Sequence, residues 1–312
     1  MNYRELEFFG KNGLRYEKVI ARGANGLIYL VYSESQQRKF AMKKYPQFIF
    51  KDKDLENIIA INNPHLLKFT QYFKFNDQVY LLMEYCPTNL EKLITEPQMV
   101  SKEILRNYIY DVVTCVKTCH DNNISISDFT LSNFLIDENG KIKINFLSLK
   151  HIVQEQEENA PARFKTMNYF LPPEVIEQSE YDEMCSDIWS LGCILYFMAS
   201  KSLPFNSKDM KSLKDQIKKC EYNNEKVEDL NLREVISRCL KIDPNSRTTV
   251  GNLLKMKYFG KLDTAKNNQK AVLKSEWRKS VYLVRRNMTF INYNRQELDI
   301  PNTPSRPSEG IF

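Results

Sequence analysis

A chain of 312 residues with 42% hydrophobic content has room for one folded unit of about 250 residues plus a tail, and enough apolar material to bury a core. Seven cysteines without a Cys-x-x-Cys pair and three histidines argue against a disulfide framework, a histidine-built metal centre and a histidine nucleophile, and point to reduced thiols in an intracellular chain. The net charge of +6 sits almost wholly after residue 260, where ten Lys or Arg stand against five Asp or Glu, so the body is nearly neutral.

In chain order, the apolar runs Tyr16–Ile20 and Leu27–Tyr32 read as strands flanking Gly23-Ala24-Asn25-Gly26. Phe40-Ala41-Met42-Lys43 follows as a third strand. Phe69–Phe75 and Gln78–Tyr85 flank the turn residues Asn76-Asp77 and predict a hairpin, whose second strand leads into Met83-Glu84-Tyr85-Cys86. A helical apolar pattern with Cys115 and Cys119 on one face precedes His120. Between Ile124 and Leu147, Asp128 is followed five residues later by Asn133, and a strand then ends at Asn145-Phe146-Leu147. Pro172-Pro173-Glu174, the tract Ser186–Gly192 and Asp243-Pro244 with Arg247 complete the body. In the tail, Leu273, Trp277, Val281 and Val284 form a helical stripe among Lys274, Arg278, Lys279, Arg285 and Arg286. This stripe reads either as a helix docked on the protein's own body or as a docking element for an acidic partner or membrane surface. Residues from Asn302 to Ser308 have the composition of a disordered segment, with Thr303 a candidate phosphorylation site. There is no early apolar run of the kind a signal peptide has, no apolar run of about 18 residues that would span a membrane, no repeat, and no indication of nucleic-acid binding.

Taken in order, these segments resemble the motifs of the eukaryotic protein-kinase superfamily over roughly 230 residues. The resemblance implies an α+β, two-lobed protein-kinase fold with a small β-rich N-lobe and a larger helical C-lobe. Its bounds are an N-terminal extension at 1–15, a kinase-like domain at 16–260 and a basic tail at 261–312, partly helical and then disordered. It also implies an ATP pocket formed by Ile20, Gly23, Gly26, Ile28, Ala41, Lys43, Met83, Glu84, Cys86 and Leu135, with Met83 as gatekeeper and Lys43 on the nucleotide phosphates. The helix partner of Lys43 is Asp54, ten residues before Pro64; its carboxylate reaches about 1.5 Å less than that of the usual Glu. Glu56 could substitute only if the helix turned. Asp128 is the catalytic carboxylate that would orient a substrate hydroxyl and accept its proton, Asn133 and Asn145 are the metal positions, Glu174 and Arg247 brace the substrate platform, and Asp187 anchors the catalytic loop.

Several departures from the family pattern remove charge. Asn145 stands where a metal-binding Asp is expected, and a neutral amide is a poor ligand for a hard cation such as Mg²⁺. Thr130 replaces the Lys that contacts the transferring phosphoryl group, Ile126 replaces a His but can still stack beneath Phe146, and Ala21 replaces the first glycine of the phosphate loop. No Ser, Thr or Tyr occurs between Leu149 and Lys165, and Ser127 occupies the site of the Arg that would receive a loop phosphate, which argues against switching by loop phosphorylation. Glu155, Glu157 and Glu158 read as a solvated acidic loop.

Within the superfamily the chain resembles the monopolar-spindle branch of spindle-assembly-checkpoint serine/threonine kinases. The shared features are Ser127, the run Asn133-Phe134-Leu135-Ile136, the Met83 gatekeeper, Asn168-Tyr169 before Pro172-Pro173-Glu174, and the tract Trp189–Tyr196. The resemblance implies protein substrates or binding partners, spindle or kinetochore components among them, and a place in the cytoplasm or nucleus. The expectation is a catalytically impaired kinase-fold protein acting by binding, with weak ATP binding and no firmly held Mg²⁺. The alternative is a divergent but active serine/threonine kinase, and a metabolite kinase or nucleotide sensor is a distant third because Thr166 and Pro172-Pro173-Glu174 resemble a polypeptide-substrate platform.

Overall fold

The computed structural model describes residues 3–23, 26–95, 101–126, 129–145, 168–177, 181–207 and 209–260. The expectations for Ser127, Asp128, Phe146, the segment 149–165, Thr166 and the tail from 261 lie outside these residues.

The N-terminal half builds one antiparallel sheet. Strands β1 (Leu14–Gly23), β2 (Gly26–Ser33), β3 (Arg38–Pro46), β4 (Phe69–Phe75) and β5 (Gln78–Glu84) lie in the order β1-β2-β3-β5-β4. The predicted strands correspond to β1 to β5; β1 is longer than the run from Tyr16, and β5 ends one residue before Tyr85. Asn76 and Asp77 both take positive φ, 48° and 54°, the backbone twist that a two-residue hairpin loop needs to match its strands.

Side chains alternate across the sheet, so β3 serves two cores at once. Phe40 and Met42 join Tyr29, Val31, Tyr80 and Leu82 on one face, while Ala41 and Tyr45 join Val79, Leu81 and Met83 on the other. Helix α2 (Asp52–Ala60) sends Leu55 and Ile58 into the second core. The first core is closed by α1 (Tyr3–Lys11), in the stretch expected only as an extension. Its Phe9 is fully buried, and Phe8 stacks on Phe75 with centroids 4.4 Å apart. Glu5 is buried too, accepting from Lys44 Nζ at 2.6 Å and from the Tyr80 hydroxyl at 2.8 Å.

The C-terminal half is mainly helical. It contains β6 (Thr88–Asn89), α3 (Leu90–Thr95), α4 (Lys102–Asp121), β7 (Phe134–Ile136), β8 (Ile142–Ile144), α5 (Pro173–Ile176), α6 (Glu183–Ser200), α7 (Met210–Lys219), α8 (Leu230–Cys239) and α9 (Val250–Leu253). Strands β6, β7 and β8 form a small sheet. Helix α6 is apolar almost all round and lies buried at the centre of this lobe, as such a helix must. Asp182 caps it by accepting from the N–H groups of Met184 and Cys185, and Lys201 ends it in the left-handed region. Gly192 permits the close approach of α8, since a Cβ there would stand 2.6 Å from Cβ of Cys239. Cys115, Cys119, Cys193 and Cys239 are buried free thiols; burial pushes Cys119 and Cys239 up to about 12. No helix among the described residues is long and apolar enough to cross a membrane.

The halves are joined by more than the chain. The segment before β4 lies along β8, with Leu67 N–H donating to the Ile144 carbonyl at 2.9 Å and Ile144 N–H to the His65 carbonyl at 2.9 Å.

Candidate active site

The residues expected to wall an ATP pocket come from both sheets. Ile20 on β1, Ile28 on β2, Ala41 on β3, Met83 on β5 and Leu135 on β7 all belong to or pack against the larger core. Register brings several of them together: Ile28 pairs with Lys43, Ala41 with Met83, and Gly23 with Gly26 where β1 turns into β2. Lys43 is half-buried, and its Nζ stands 4.6 Å from the centroid of the Tyr45 ring. Asp54 lies in α2, but its side chain is outside the described set; Glu56, on the same helix, is exposed.

Along the hinge, Met83 is buried and Cys86 half-buried, with burial first and then the Glu84 carboxylate holding the Cys86 thiol far above its ordinary pKa. Glu84 is engaged within the protein. Its carboxylate accepts from Lys143 Nζ at 2.8 Å and from Lys68 N–H at 2.8 Å, while its own N–H donates to the Lys68 carbonyl at 3.0 Å. Lys143 lies between Ile142 and Ile144 on β8, so this ion pair crosses between the lobes. Sequence reading missed it; the sign was a lysine set between two isoleucines in a short buried strand.

Below the pocket, Asn133 and Asn145 are backbone neighbours, Asn145 N–H donating to the Asn133 carbonyl at 2.9 Å. Strand β8 thereby places the two amide side chains at one end of the β7–β8 hairpin. Thr130 Oγ1 lies 2.8 Å from Ser132 Oγ, a local hydroxyl pair. Ile126 is buried, and its N–H donates to Asp187 Oδ2 at 2.8 Å. That same oxygen lies 2.9 Å from Nε2 of His120 at the end of α4, a partner the sequence did not single out. Burial raises the Asp187 pKa; the contacts with His120 and Ile126 oppose that rise without cancelling it.

The region around Glu174 and Arg247, expected to brace a substrate platform, is more tightly built. Arg247 Nη1 and Nη2 each donate to one oxygen of Glu174 at 2.7 Å, and the pair is buried. The remaining guanidinium N–H groups reach the carbonyls of Cys185, Lys241 and Ile242, so all five donors of the fork are used. The guanidinium carbon also lies 5.2 Å from the Trp189 ring centroid, and Ser186 Oγ donates to Glu174 Oε1 at 2.8 Å. Burial is the largest influence on the Glu174 carboxyl and pushes it upward, but the hydrogen bonds and charge of Arg247, a backbone N–H and the Ser186 hydroxyl together outweigh it and hold the pKa below its ordinary value.

Comparison with known proteins agrees with this arrangement. Residues 14–259 match the protein kinase domain model, and the chain belongs to that family. It is 28% identical over 263 residues to the serine/threonine-protein kinase polo of Drosophila melanogaster, covering 82% of this chain and 44% of polo. Against NUAK family SNF1-like kinase 1 of Homo sapiens it is 26% identical over 250 residues, covering 77% of this chain and 37% of that protein. The chain therefore spans less than half the length of these relatives. A crystal structure of Rad53 1-466 in complex with AMP-PNP superposes with a TM-score of 0.67 at 22% identity, covering 83% of this chain and 70% of that one, a likeness of fold.

Proposed function

We propose that this protein-kinase-family chain works chiefly by binding other proteins and carries a weakened serine/threonine phosphotransfer site. The observation that carries this reading is a contrast in charge. The platform pair Glu174–Arg247 and the anchor Asp187 are fully engaged, whereas Thr130 stands where a cation is expected and no carboxylate occurs anywhere from Asn145 to Lys150.

Phosphoryl transfer relies on positioning and on neutralising phosphate charge. Lys43 would meet the nucleotide phosphates under the β1–β2 tip, and the apolar walls at Ile20, Ile28, Ala41, Met83 and Leu135 suit an adenine ring. Asp128 would orient a substrate hydroxyl and take its proton. Mg²⁺ fits poorly here: it prefers carboxylate oxygens, and the candidate donors are the amides of Asn133 and Asn145. Single electrostatic groups of the kind replaced at 130 and 145 are worth about 10²- to 10³-fold each, so their joint loss lowers turnover by several orders of magnitude.

The run Asn133–Ile136 and the tract Trp189–Tyr196 support a monopolar-spindle likeness, and with it spindle or kinetochore proteins as partners. The basic stretch after Gly260 would serve as the docking element for an acidic one. A divergent active kinase is the second reading, favoured by retention of both Lys43 and Asp128.

Thermal-shift measurements with ATP test this. A small stabilisation that is the same with and without Mg²⁺ is expected, because a ligand stabilises by RT ln(1 + [L]/Kd) and the affinity proposed here is weak and does not rest on the metal. A large Mg²⁺-dependent shift contradicts the reading.

A further inference from the structure

We propose that Tyr45 is a positioning residue for Lys43, its aromatic face holding the ammonium at the cleft wall so that placement of this cation does not rest on a helix carboxylate alone. The inference rests on the reading of Lys43 as the phosphate-binding lysine.

Lys43 and Tyr45 are two apart on β3, so the pleat puts both on the face that carries Ala41. Their cross-strand partners on β5 are Leu81 and Val79, which fixes the register of both side chains. Lys43 Nζ lies 4.6 Å from the Tyr45 ring centroid, inside the distance at which a ring quadrupole attracts an ammonium. The ring is a fixed platform: Tyr45 is 1% exposed, and Phe50 packs edge-on against it with centroids 5.2 Å apart at 86°. Burial drives the Tyr45 hydroxyl far above its ordinary pKa, so the ring remains a neutral phenol and its attraction is that of the π face.

The neighbouring lysine shows how β3 divides its cations. Lys44 points to the opposite face, where Glu5 of α1 takes it at 2.6 Å and the Tyr80 ring lies 5.6 Å away. Each lysine therefore has its own aromatic support on its own side of the sheet. A lysine side chain carries about 2 kcal/mol of rotamer entropy, and a ring that confines it beforehand lowers what remains to be lost when phosphate binds.

The test uses the full chain with its lysines ¹³C-dimethylated, the Lys43 signal being identified by its loss in Lys43→Arg. That signal should show an upfield ring-current shift which Tyr45→Phe retains and Tyr45→Leu abolishes. ATP affinity, measured by calorimetry, should fall between about 2-fold and about 30-fold in Tyr45→Leu, the strength of a partly buried cation–π contact converted at tenfold per 1.4 kcal/mol. Tyr45→Phe should bind as the parent does, and Asp54→Asn should lose less than Tyr45→Leu. An unshifted Lys43 signal in the parent overturns the inference even if Tyr45→Leu fails to fold, and so does unchanged ATP affinity in a folded Tyr45→Leu. A Lys43→Met chain that binds ATP like the parent instead overturns the phosphate role on which the inference stands.

Discussion

The Glu174–Arg247 scaffold around α6 and the proposed nucleotide cleft belong to one fold but treat charge in opposite ways. Around α6, charged groups are buried and matched: Glu174 meets Arg247 through two hydrogen bonds, every guanidinium N–H has an acceptor, and Asp187 ties His120 to the backbone of Ile126. At the cleft, positions that kinase chemistry assigns to a carboxylate and a cation hold Asn145 and Thr130. An unmatched charge buried around α6 would destabilise the lobe by several kcal/mol, whereas a missing charge at the cleft removes only chemistry. A chain held by selection for binding would therefore keep the first and lose the second.

The largest effect should come from breaking the matched side. Arg247→Ala leaves the Glu174 carboxylate buried without its cation and strips packing from Trp189, a change of about 3–5 kcal/mol that denaturant unfolding should register. A loss under about 1 kcal/mol would show that the pair is not the brace described.

In the N-lobe, Phe9→Ala should cost about 3 kcal/mol, since Phe9 is fully buried against Tyr29 and Tyr80. An unchanged unfolding midpoint would mean that α1 does not close the sheet face in solution.

A smaller effect follows acid. The Glu174 pKa in the folded chain lies below its ordinary 4.5, so the stability it contributes is fully present above that value and is lost as pH falls through the depressed folded value. Urea midpoints should accordingly fall below pH 4.5, and less steeply for Glu174→Gln. Equal slopes would remove Glu174 from the account.

Much of this was legible in the sequence because the relevant signals are local. Apolar runs and the turn residues Asn76-Asp77 marked the sheet and its hairpin, and motif spacing placed Glu174, Asp187 and Arg247. What escaped reading is tertiary. Phe8 and Phe9 stand side by side among charged residues, and only the sheet face they cover gives them a role. The Glu84–Lys143 pair joins residues 59 positions apart across the lobes, and the Lys43–Tyr45 contact depends on Phe50 holding a ring in place.

The central claim is that this fold retains the platform and lacks catalytic charge. It is tested most directly by transfer of labelled phosphate to a generic acceptor protein with Mg²⁺ or Mn²⁺, comparing the parent, Asp128→Asn, and Thr130→Lys combined with Asn145→Asp. The account predicts a parent hardly above Asp128→Asn and a clear rise, about 10²-fold or more, in the repaired chain. A parent that transfers phosphate briskly and loses that activity in Asp128→Asn would contradict it.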